Sequence, residues 1–540
     1  MKKLLSLVIA LIMIVSVAAL ASCGKSEPTS FATPEEHLTY VWAKQVNQSS
    51  DAALDQYEEA RTSLTGAKMT TEVKVTLGEG LKSMLKEMVD LDSINSLSYK
   101  FESNATLEKN AGDATLFVND KEVLNGSFVF DATEGTVFAK VPALYKDYFK
   151  IVLNGQSESG IDLEDFDLSS DMDVEVFKDL LNALPTEDQL KDLVAKYIVT
   201  ALDSLKGVTE EEGDYTVDDI TVNAKMVKVK ITASTVLDIA KDILTKVKED
   251  KDIKSIVDKI GEATKEKEPG DAYKEFQDAI DKALQSIENT RKDVDENVAI
   301  DLLFVTNEKN EMLAIEAEAT ESDGAKSTFR MASLDKDGKY VIDVSATSRS
   351  MDIAIQSKGV KSGDKLTGPV KILSNKDEVF SFNIKDFDIE ALKNGTFSGA
   401  IVIPSEQIQK LVRKTQQFGS SGMDMSGMIV AALGTYDITI EGTATAKDIN
   451  LTLSMANAQQ SFASIQYKAS VSGKPNIPSP KADKTAEDVM SDPNAMTNFA
   501  DNLKANLKDA GVSDRLTDLL TESLGGMMGG YEEFGDPTGA

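Results

Sequence analysis

Residues 297–472 alternate apolar with polar side chains, and this pattern restricts the possible folds more than any other feature of the chain. Residues 315–320 read IEAEAT, and Asp323-Gly324 and Asp337-Gly338 separate the runs that follow. An Asp-Gly dipeptide between alternating runs is a strong signal for a β-hairpin. Because alternation buries one face of an antiparallel sheet and leaves the other in water, we predict an antiparallel β meander that packs on a single side.

Other segments add strands and helices to this meander. Alternating runs within residues 71–141 predict further strands, with turns at Asn125-Gly126 and Glu134-Gly135. Thr33-Pro34 predicts the start of an amino-terminal helix. We therefore predict an α+β fold, in which a long antiparallel β meander forms one or two curved sheets, amphipathic helices pack on one face, and helical segments form both termini. Two related lobes and one continuous curved sheet both fit the pattern, and we favour the continuous sheet.

Changes in composition and periodicity divide the chain into eight parts. They are an apolar leader (1–22), a short tether (23–33), an N-terminal helix plus antiparallel strands (34–160), a mainly helical region with a strand pair near 215–231 (161–296), the antiparallel β meander (297–472), a linker (473–484), C-terminal helices (485–524) and a disordered tail (525–540).

The first 24 residues have the features of a bacterial export signal. A basic start is followed by an apolar run from Leu4 to Ala21 and then by Ser22, Cys23 and Gly24. The residues LASC at 20–23 resemble the bacterial lipobox. That resemblance implies that residues 1–22 are a cleaved lipoprotein signal peptide and that residues 23–33 are a lipidated tether. The lipid would be a diacylglycerol, with acyl chains such as palmitate, joined by a thioether bond to the Cys23 sulfur. An ordinary secretory signal and an uncleaved membrane helix remain the alternatives.

Lipid attachment at Cys23 would place the protein on the outer face of the bacterial cytoplasmic membrane, at the cell surface of a Gram-positive cell. Two acyl chains give stable anchoring, whereas a single chain gives only marginal binding. Cys23 is also the only cysteine, so no disulfide framework is possible. The formal net charge of −32 argues against nucleic-acid partners, whose phosphates would be repelled.

The chain lacks the residues of most catalytic and cofactor sites. His37 is the only histidine, and we interpret it as a surface or semi-buried helix residue, so we assign no catalytic residues and no cofactor. One histidine and an acylated cysteine cannot form a zinc site. A hydrolase that uses only carboxylates is the remaining enzymatic alternative, because two acidic residues suffice for glycoside hydrolysis. We predict that the protein is not an enzyme.

One acidic segment is the candidate for metal binding. Seven carboxylates lie within residues 162–175, and calcium takes six to eight oxygen ligands. No glycine lies between the first and last of them, and the EF-hand pattern is not met. We interpret the segment as a solvated linker, with a calcium site as the alternative. The seven residues are Asp162, Glu164, Asp165, Asp167, Asp171, Asp173 and Glu175.

Two resemblances follow from these features. Residues 1–24 resemble the uncharacterised lipoproteins of clostridial-type, Gram-positive bacteria. Long antiparallel strands with amphipathic helices resemble, at the level of the fold, the lipoprotein-carrier (LolA-like) and mycobacterial lipid-binding lipoproteins. That resemblance implies an acyl chain held between sheet and helix, and it assigns no ligand residue in this chain.

The leading functional hypothesis is a non-catalytic, membrane-anchored lipoprotein that binds or carries an apolar or amphiphilic ligand between sheet and helices. The alternative is an envelope scaffold that binds other envelope proteins and has no ligand cavity. A solute-binding lipoprotein is disfavoured, because such proteins alternate strands with helices. An apolar cavity of several hundred Å³ would favour the carrier over the scaffold.

Replacing Cys23 by serine removes the sulfur that the lipid would occupy. We expect Cys23→Ser to move the protein from the membrane fraction to the soluble fraction and to abolish incorporation of labelled palmitate. Cell fractionation and metabolic labelling measure the two effects. Serine at neighbouring Gly24 is the control, and membrane retention of Cys23→Ser would exclude anchoring through this residue.

Overall fold

A computed structural model describes most of the chain after the predicted tether. The described residues are 31–42, 44, 54, 57, 66–86, 89, 91–106, 108–131, 136–152, 179–180, 182–263, 271–294, 298–320, 323–393, 395–416 and 434–529. The predicted signal peptide, Cys23, the acidic segment 162–175 and the end of the predicted tail lie outside them.

Strand is the dominant secondary structure of the described residues. The strands are β1 Ala67–Leu77, β2 Ser96–Ala105, β3 Lys109–Val118, β4 Lys121–Asp131, β5 Thr136–Val141, β6 Tyr145–Val152, β7 Thr209–Val217, β8 Ile220–Thr232, β9 Ala299–Thr306, β10 Met312–Thr320, β11 Lys326–Lys336, β12 Lys339–Thr347, β13 Asp352–Ser362, β14 Lys365–Ser374, β15 Asp377–Asp388, β16 Phe397–Ile403, β17 Asp437–Ala444, β18 Asp448–Ala456, β19 Ser461–Ser472 and β20 Lys484–Thr485.

Helices lie between and after the strands. Residues 34–42 form an amino-terminal helix. The other helices are α1 Glu79–Leu85, α2 Glu187–Asp203, α3 Ala233–Glu249, α4 Lys251–Ala263, α5 Asp271–Thr290, α6 Ile389–Lys393, α7 Ser405–Gln416, α8 Ala486–Met490, α9 Pro493–Asp509 and α10 Asp514–Gly529.

The chain divides into two compact units, each built from two stretches of sequence. The first unit comprises Met1–Arg61 and Glu175–Gln407, and the second comprises Thr62–Val174 and Ile408–Ala540.

In the first unit, every strand from β7 to β15 pairs antiparallel with the next strand in sequence. The turn between β11 and β12 shows why the local sequence suffices for such pairing. Asp337 and Gly338 have φ of 53° and 74°, and two consecutive positive φ values match the twist of a β-hairpin. The predicted turn at Asp337-Gly338 is thus confirmed.

In the second unit, strands from the two ends of its sequence combine. Strand β1 pairs antiparallel with β2 on one side and with β19 on the other, so that Val73 lies opposite both Tyr99 and Tyr467. The antiparallel order is β17-β18-β19-β1-β2-β3-β4-β5-β6. The short β20 then pairs parallel with β6 through Lys484 and Phe149.

The predicted fold class is wrong. The 20 strands pair in a mixed rather than a purely antiparallel pattern, because β20 and β6 of the second unit run parallel. The helices are few and small beside the strands and do not form the predicted layer on one face. Alternation shows which side chains share a face, but it carries no information on strand direction or on what covers that face.

The turn predicted at Asn125-Gly126 is also wrong. Both residues lie within β4, and the chain reverses instead at Asn119 and Asp120, whose φ values are 52° and 63°. Asn and Asp tolerate the left-handed region without glycine. The Asn119 side chain also donates to the carbonyl of Ser93 at 2.8 Å, which stabilises this turn from the neighbouring loop.

Apolar residues of the first unit's sheet pack on its helices. Leu38 of the amino-terminal helix and Leu202 of α2 contact a cluster that includes Val227, Leu302 and Phe304 of β8 and β9. In the second unit, Leu503 and Leu507 of α9 pack on Ile94, Val118 and Val123. Helical cover thus extends over only part of each sheet.

Asp250 fixes the corner between α3 and α4. Its fully buried carboxylate accepts hydrogen bonds from Lys196 Nζ at 2.5 Å and Tyr197 OH at 2.6 Å. It also accepts from the backbone N–H groups of Asp252 and Ile253, as an N-cap does. Burial alone would raise the pKa of Asp250, but these hydrogen bonds outweigh it and lower the pKa from 3.8 to about 2.

Replacing Asp250 by alanine should lower the free energy of unfolding of the first unit by about 3 kcal/mol, because the Lys196 ammonium, the Tyr197 hydroxyl and two helix N–H groups lose a buried acceptor. Since the folded pKa is depressed, this contribution is present above pH 4 and is lost as the pH falls towards 2. Urea unfolding at several pH values and hydrogen exchange in α4 measure both effects.

Asp281→Ala is the matched control, because Asp281 pairs with Lys248 while its side chain is 54% exposed. We expect its effect to stay below about 1 kcal/mol. Equal losses in the two variants would contradict a structural role for the buried carboxylate.

Candidate functional site

The candidate site residues from the sequence cannot be placed by the structure. Cys23 and the seven carboxylates between Asp162 and Glu175 lie outside the described residues. Within the described part of the chain, no group of three or more His, Cys, Asp or Glu side chains could hold a metal ion.

His37 is more buried than the sequence indicated. Its side chain is completely inaccessible, and Nδ1 lies 2.8 Å from Glu210 Oε2 of β7. The ring of Phe31 stacks on the imidazole with centroids 4.6 Å apart. The pair therefore links the amino-terminal helix to the edge of the first unit's strands.

The first unit contains a hollow of about 620 Å³ on its sheet. Charged side chains of both signs line it, among them Lys228, Lys230, Asp301, Glu316, Glu318 and Arg330. Cross-strand register places Lys230 opposite Asp301, and Arg330 opposite Glu316. These charges compensate one another within the sheet, so the hollow is not the apolar cavity that a lipid carrier requires.

Glu316 and Arg330, which line this hollow, belong to a partly buried polar cluster that also contains Tyr215. Tyr215 OH donates to Glu316 Oε1 at 2.6 Å, and Arg330 Nε lies 3.2 Å from the same oxygen. Burial, together with the hydrogen bond to Glu316, raises the pKa of Tyr215 to about 12. The phenol thus stays protonated at physiological pH and joins β7 to β10.

The second unit exposes a large apolar surface on one face of its strands. We call it the open apolar face and define it by seven side chains that are each 37–42% exposed: Met69, Leu97, Tyr99, Leu116, Ile465, Tyr467 and Val471. They lie on the four adjacent strands β19, β1, β2 and β3.

Strand register explains why these residues share a face. Val73 of β1 lies between Tyr467 and Tyr99, and Tyr99 lies opposite Leu116 of β3. Because successive side chains alternate between faces, the intervening residues, such as Glu72 and Lys74, point to the other side. Four strands give a width of about 14 Å, and the six-residue step from Ile465 to Val471 gives a length of about 20 Å.

Aromatic rings and one glycine shape the floor of the open apolar face. Tyr99, Phe101 and Phe128 follow one another with centroids 6.3 Å apart and ring planes within 14° of parallel. Gly112 lies beneath the second and third rings. A Cβ there would be 2.5 Å from a ring atom of Phe128 and 2.8 Å from a ring atom of Phe101. Only glycine therefore allows these rings to pack directly against the backbone of β3.

Packed elements border the open apolar face. At one end of the strands, Leu81 and Met84 of α1 pack on Phe462 and Ala463. On the β3–β4 side, α9 and α10 cover Val118 and Val123. These helices thus border the open apolar face at one end of its strands and along its β3–β4 side.

The first unit exposes a smaller apolar surface. Ile353 and Ile355 of β13 are each 42% exposed, and Ile355 lies between Val344 of β12 and Ile372 of β14.

Sequence reasoning identified the strands of the open apolar face but not the face itself. The alternation of Tyr99 and Phe101 with lysine and glutamate was visible in residues 97–107. An apolar stripe of this kind predicts buried core, and only the positions of the helices show that it is exposed.

Comparisons with protein-family models, with curated proteins and with solved structures give no match. They lend no support to the resemblance to lipoprotein carriers, which stays a prediction. Among the described residues, no helix combines the length and apolar composition that crossing a bilayer requires.

Replacing Gly112 by alanine should lower the free energy of unfolding by about 1–3 kcal/mol, because the new methyl group displaces two aromatic rings. Urea unfolding and near-ultraviolet circular dichroism measure the loss and the ring displacement. Gly213→Ala is the control, since its Cβ would meet only the mobile end of Met226 at 3.3 Å. An unchanged aromatic signal in Gly112→Ala would contradict the described packing.

Proposed function

We propose that the protein is a non-catalytic lipoprotein, anchored through Cys23 on the outer face of the cytoplasmic membrane, that binds an apolar or amphiphilic ligand on the open apolar face. The observation that supports this proposal is the exposure of seven large apolar side chains on four adjacent strands. The estimated dimensions give this face an area on the order of 300 Å², which is comparable to the largest apolar patch on a typical monomer, and such a patch is often functional.

The chemistry of the face favours a ligand with acyl chains or a similar apolar body. Leucine, isoleucine, valine and methionine supply surface without hydrogen-bonding groups, and burying that surface contributes about 25 cal/mol per Å². The two tyrosines add polar groups on an apolar ring, which suits the boundary between an apolar tail and a polar head.

The position of the site differs from the expectation that the ligand lies between sheet and helices. The helices α1, α9 and α10 border the face, and the ligand would lie on the strands between them. A ligand bound in this way stays partly accessible, which favours exchange with a membrane or a partner over storage.

The test uses the mature chain carrying Cys23→Ser, so that its own lipid is absent. We expect a fluorescent acyl-chain probe to bind, and solvent extraction of the purified protein to release lipid. Leu97→Lys combined with Tyr99→Lys should weaken probe binding at least tenfold, because two ammonium groups would then lie under the ligand.

Thr76→Lys is the matched control, since Thr76 is an exposed residue on the opposite face of β1. It adds a positive charge to the same strands without entering the open apolar face. Ligand binding at this face would be refuted if the Cys23→Ser protein, its Leu97→Lys/Tyr99→Lys form and its Thr76→Lys form bound the probe with equal affinity, and native mass spectrometry showed only the ligand-free mass.

An envelope scaffold is the second candidate, and one observation favours it. The open apolar face is exposed rather than enclosed in a cavity, and the hollow described for the first unit has charged walls. An exposed apolar face also suits an apolar surface of another protein. A photo-crosslinking residue at Tyr99 separates the two, because lipid adducts support the carrier and protein adducts support the scaffold.

A further inference from the structure

The amino-terminal segment is fixed to the first unit from Phe31 onward. His37 is fully buried, and its Nδ1 contacts Glu210 Oε2 at 2.8 Å. The ring of Phe31 stacks on His37 and lies 5.2 Å from Tyr40. A polar contact and a ring stack therefore hold the first described residues in place.

Apolar packing holds the rest of this helix. Leu38 and Val41 are each 2% exposed. The indole of Trp42 packs edge-on against Phe304 of β9 with centroids 5.1 Å apart. Contacts at both ends and in the middle of the helix prevent it from pivoting on the strands.

Little chain separates this fixed helix from the predicted lipid. Seven residues, 24–30, lie between Cys23 and Phe31. A chain extends at most about 3.6 Å per residue, so Phe31 lies within about 29 Å of the lipidated sulfur.

We propose that residues 31–42 are a rigid mount that holds the first unit close to the bilayer surface, with the Phe31 end of the mount facing the lipid headgroups. This rests on the proposed lipid attachment at Cys23. The net charge of −32 would otherwise keep the protein away from an anionic bilayer. The mount therefore acts against electrostatic repulsion, and the partner of this surface is the headgroup layer itself.

Trp42 makes the proposal measurable, because it is the only tryptophan in the chain and lies on the mount. The native lipoprotein is bound to phosphatidylcholine vesicles that contain a small fraction of dansyl-labelled phosphatidylethanolamine. We expect energy transfer from Trp42 to the dansyl groups, and at least a twofold decrease after about 20 Gly and Ser residues are inserted between Ser26 and Glu27.

Two results would overturn the proposal, and they are distinguishable. Failure of the native protein to float with the vesicles would refute the lipid anchor, and with it the mount. Flotation with equal transfer for native and lengthened tethers would refute the mount alone.

The contact between His37 and Glu210 is tested separately through the mobility of Trp42. Glu210→Ala combined with Leu38→Ala should lower the fluorescence anisotropy of Trp42, and Glu210→Gln, which retains an acceptor oxygen, should not. Glu211→Ala is the control, because this neighbouring carboxylate pairs with Lys228 at 2.5 Å. Unchanged anisotropy in the double variant would contradict fixation of the helix by these contacts.

Discussion

The pairing of β1 with β19 and β2 is the contact on which the second unit depends. It joins Val73 to Tyr467, which lie about three quarters of the chain length apart in sequence. Closing so long a loop costs only a few kcal/mol more than closing a short one, because the entropy cost rises with the logarithm of loop length. Ten matched residue pairs along each side of β1 offset that cost. The same register brings the exposed residues of four strands together, so the candidate site exists only because this pairing forms.

The strand register also determines which side chains are exposed to solvent. A slip by one residue would move Glu72 and Lys74 onto the apolar side and Val73 and Val75 onto the polar side. A cross-strand ion pair on the polar face, between Lys68 Nζ of β1 and Glu102 Oε2 of β2 at 3.5 Å, adds a preference for the observed register. The open apolar face is therefore a fixed property of the fold, and exposing it is tolerable in a chain whose net charge of −32 opposes self-association.

The two proposals connect through the membrane. A ligand that is partly accessible on the open apolar face has to be exchanged with a lipid phase or an apolar partner. A short tether and a fixed amino-terminal helix would keep the protein close to such a phase. His37, which could not serve a catalytic triad on its own, has a structural explanation as the buried partner of Glu210.

The sequence by itself determined the local features. Period-two alternation located individual strands such as β10 and β12, Asp337-Gly338 specified a hairpin turn, and Thr33 specified a helix start, where its hydroxyl accepts from the N–H of Glu36 at 3.2 Å. These features depend on residues close in sequence, whose conformational preferences act whatever the rest of the chain does. Signals of this kind also carry the predicted lipid attachment at Cys23.

Only the tertiary structure decided which strands pair and which apolar surface stays exposed. Nothing local indicates that β1 lies beside β19, that the two residues of β20 pair parallel with β6, or that Asn125-Gly126 continues a strand. An apolar stripe has the same sequence whether a helix covers it or water does. Its exposure depends on where α1, α9 and α10 pack, which is set by contacts between residues far apart in the chain.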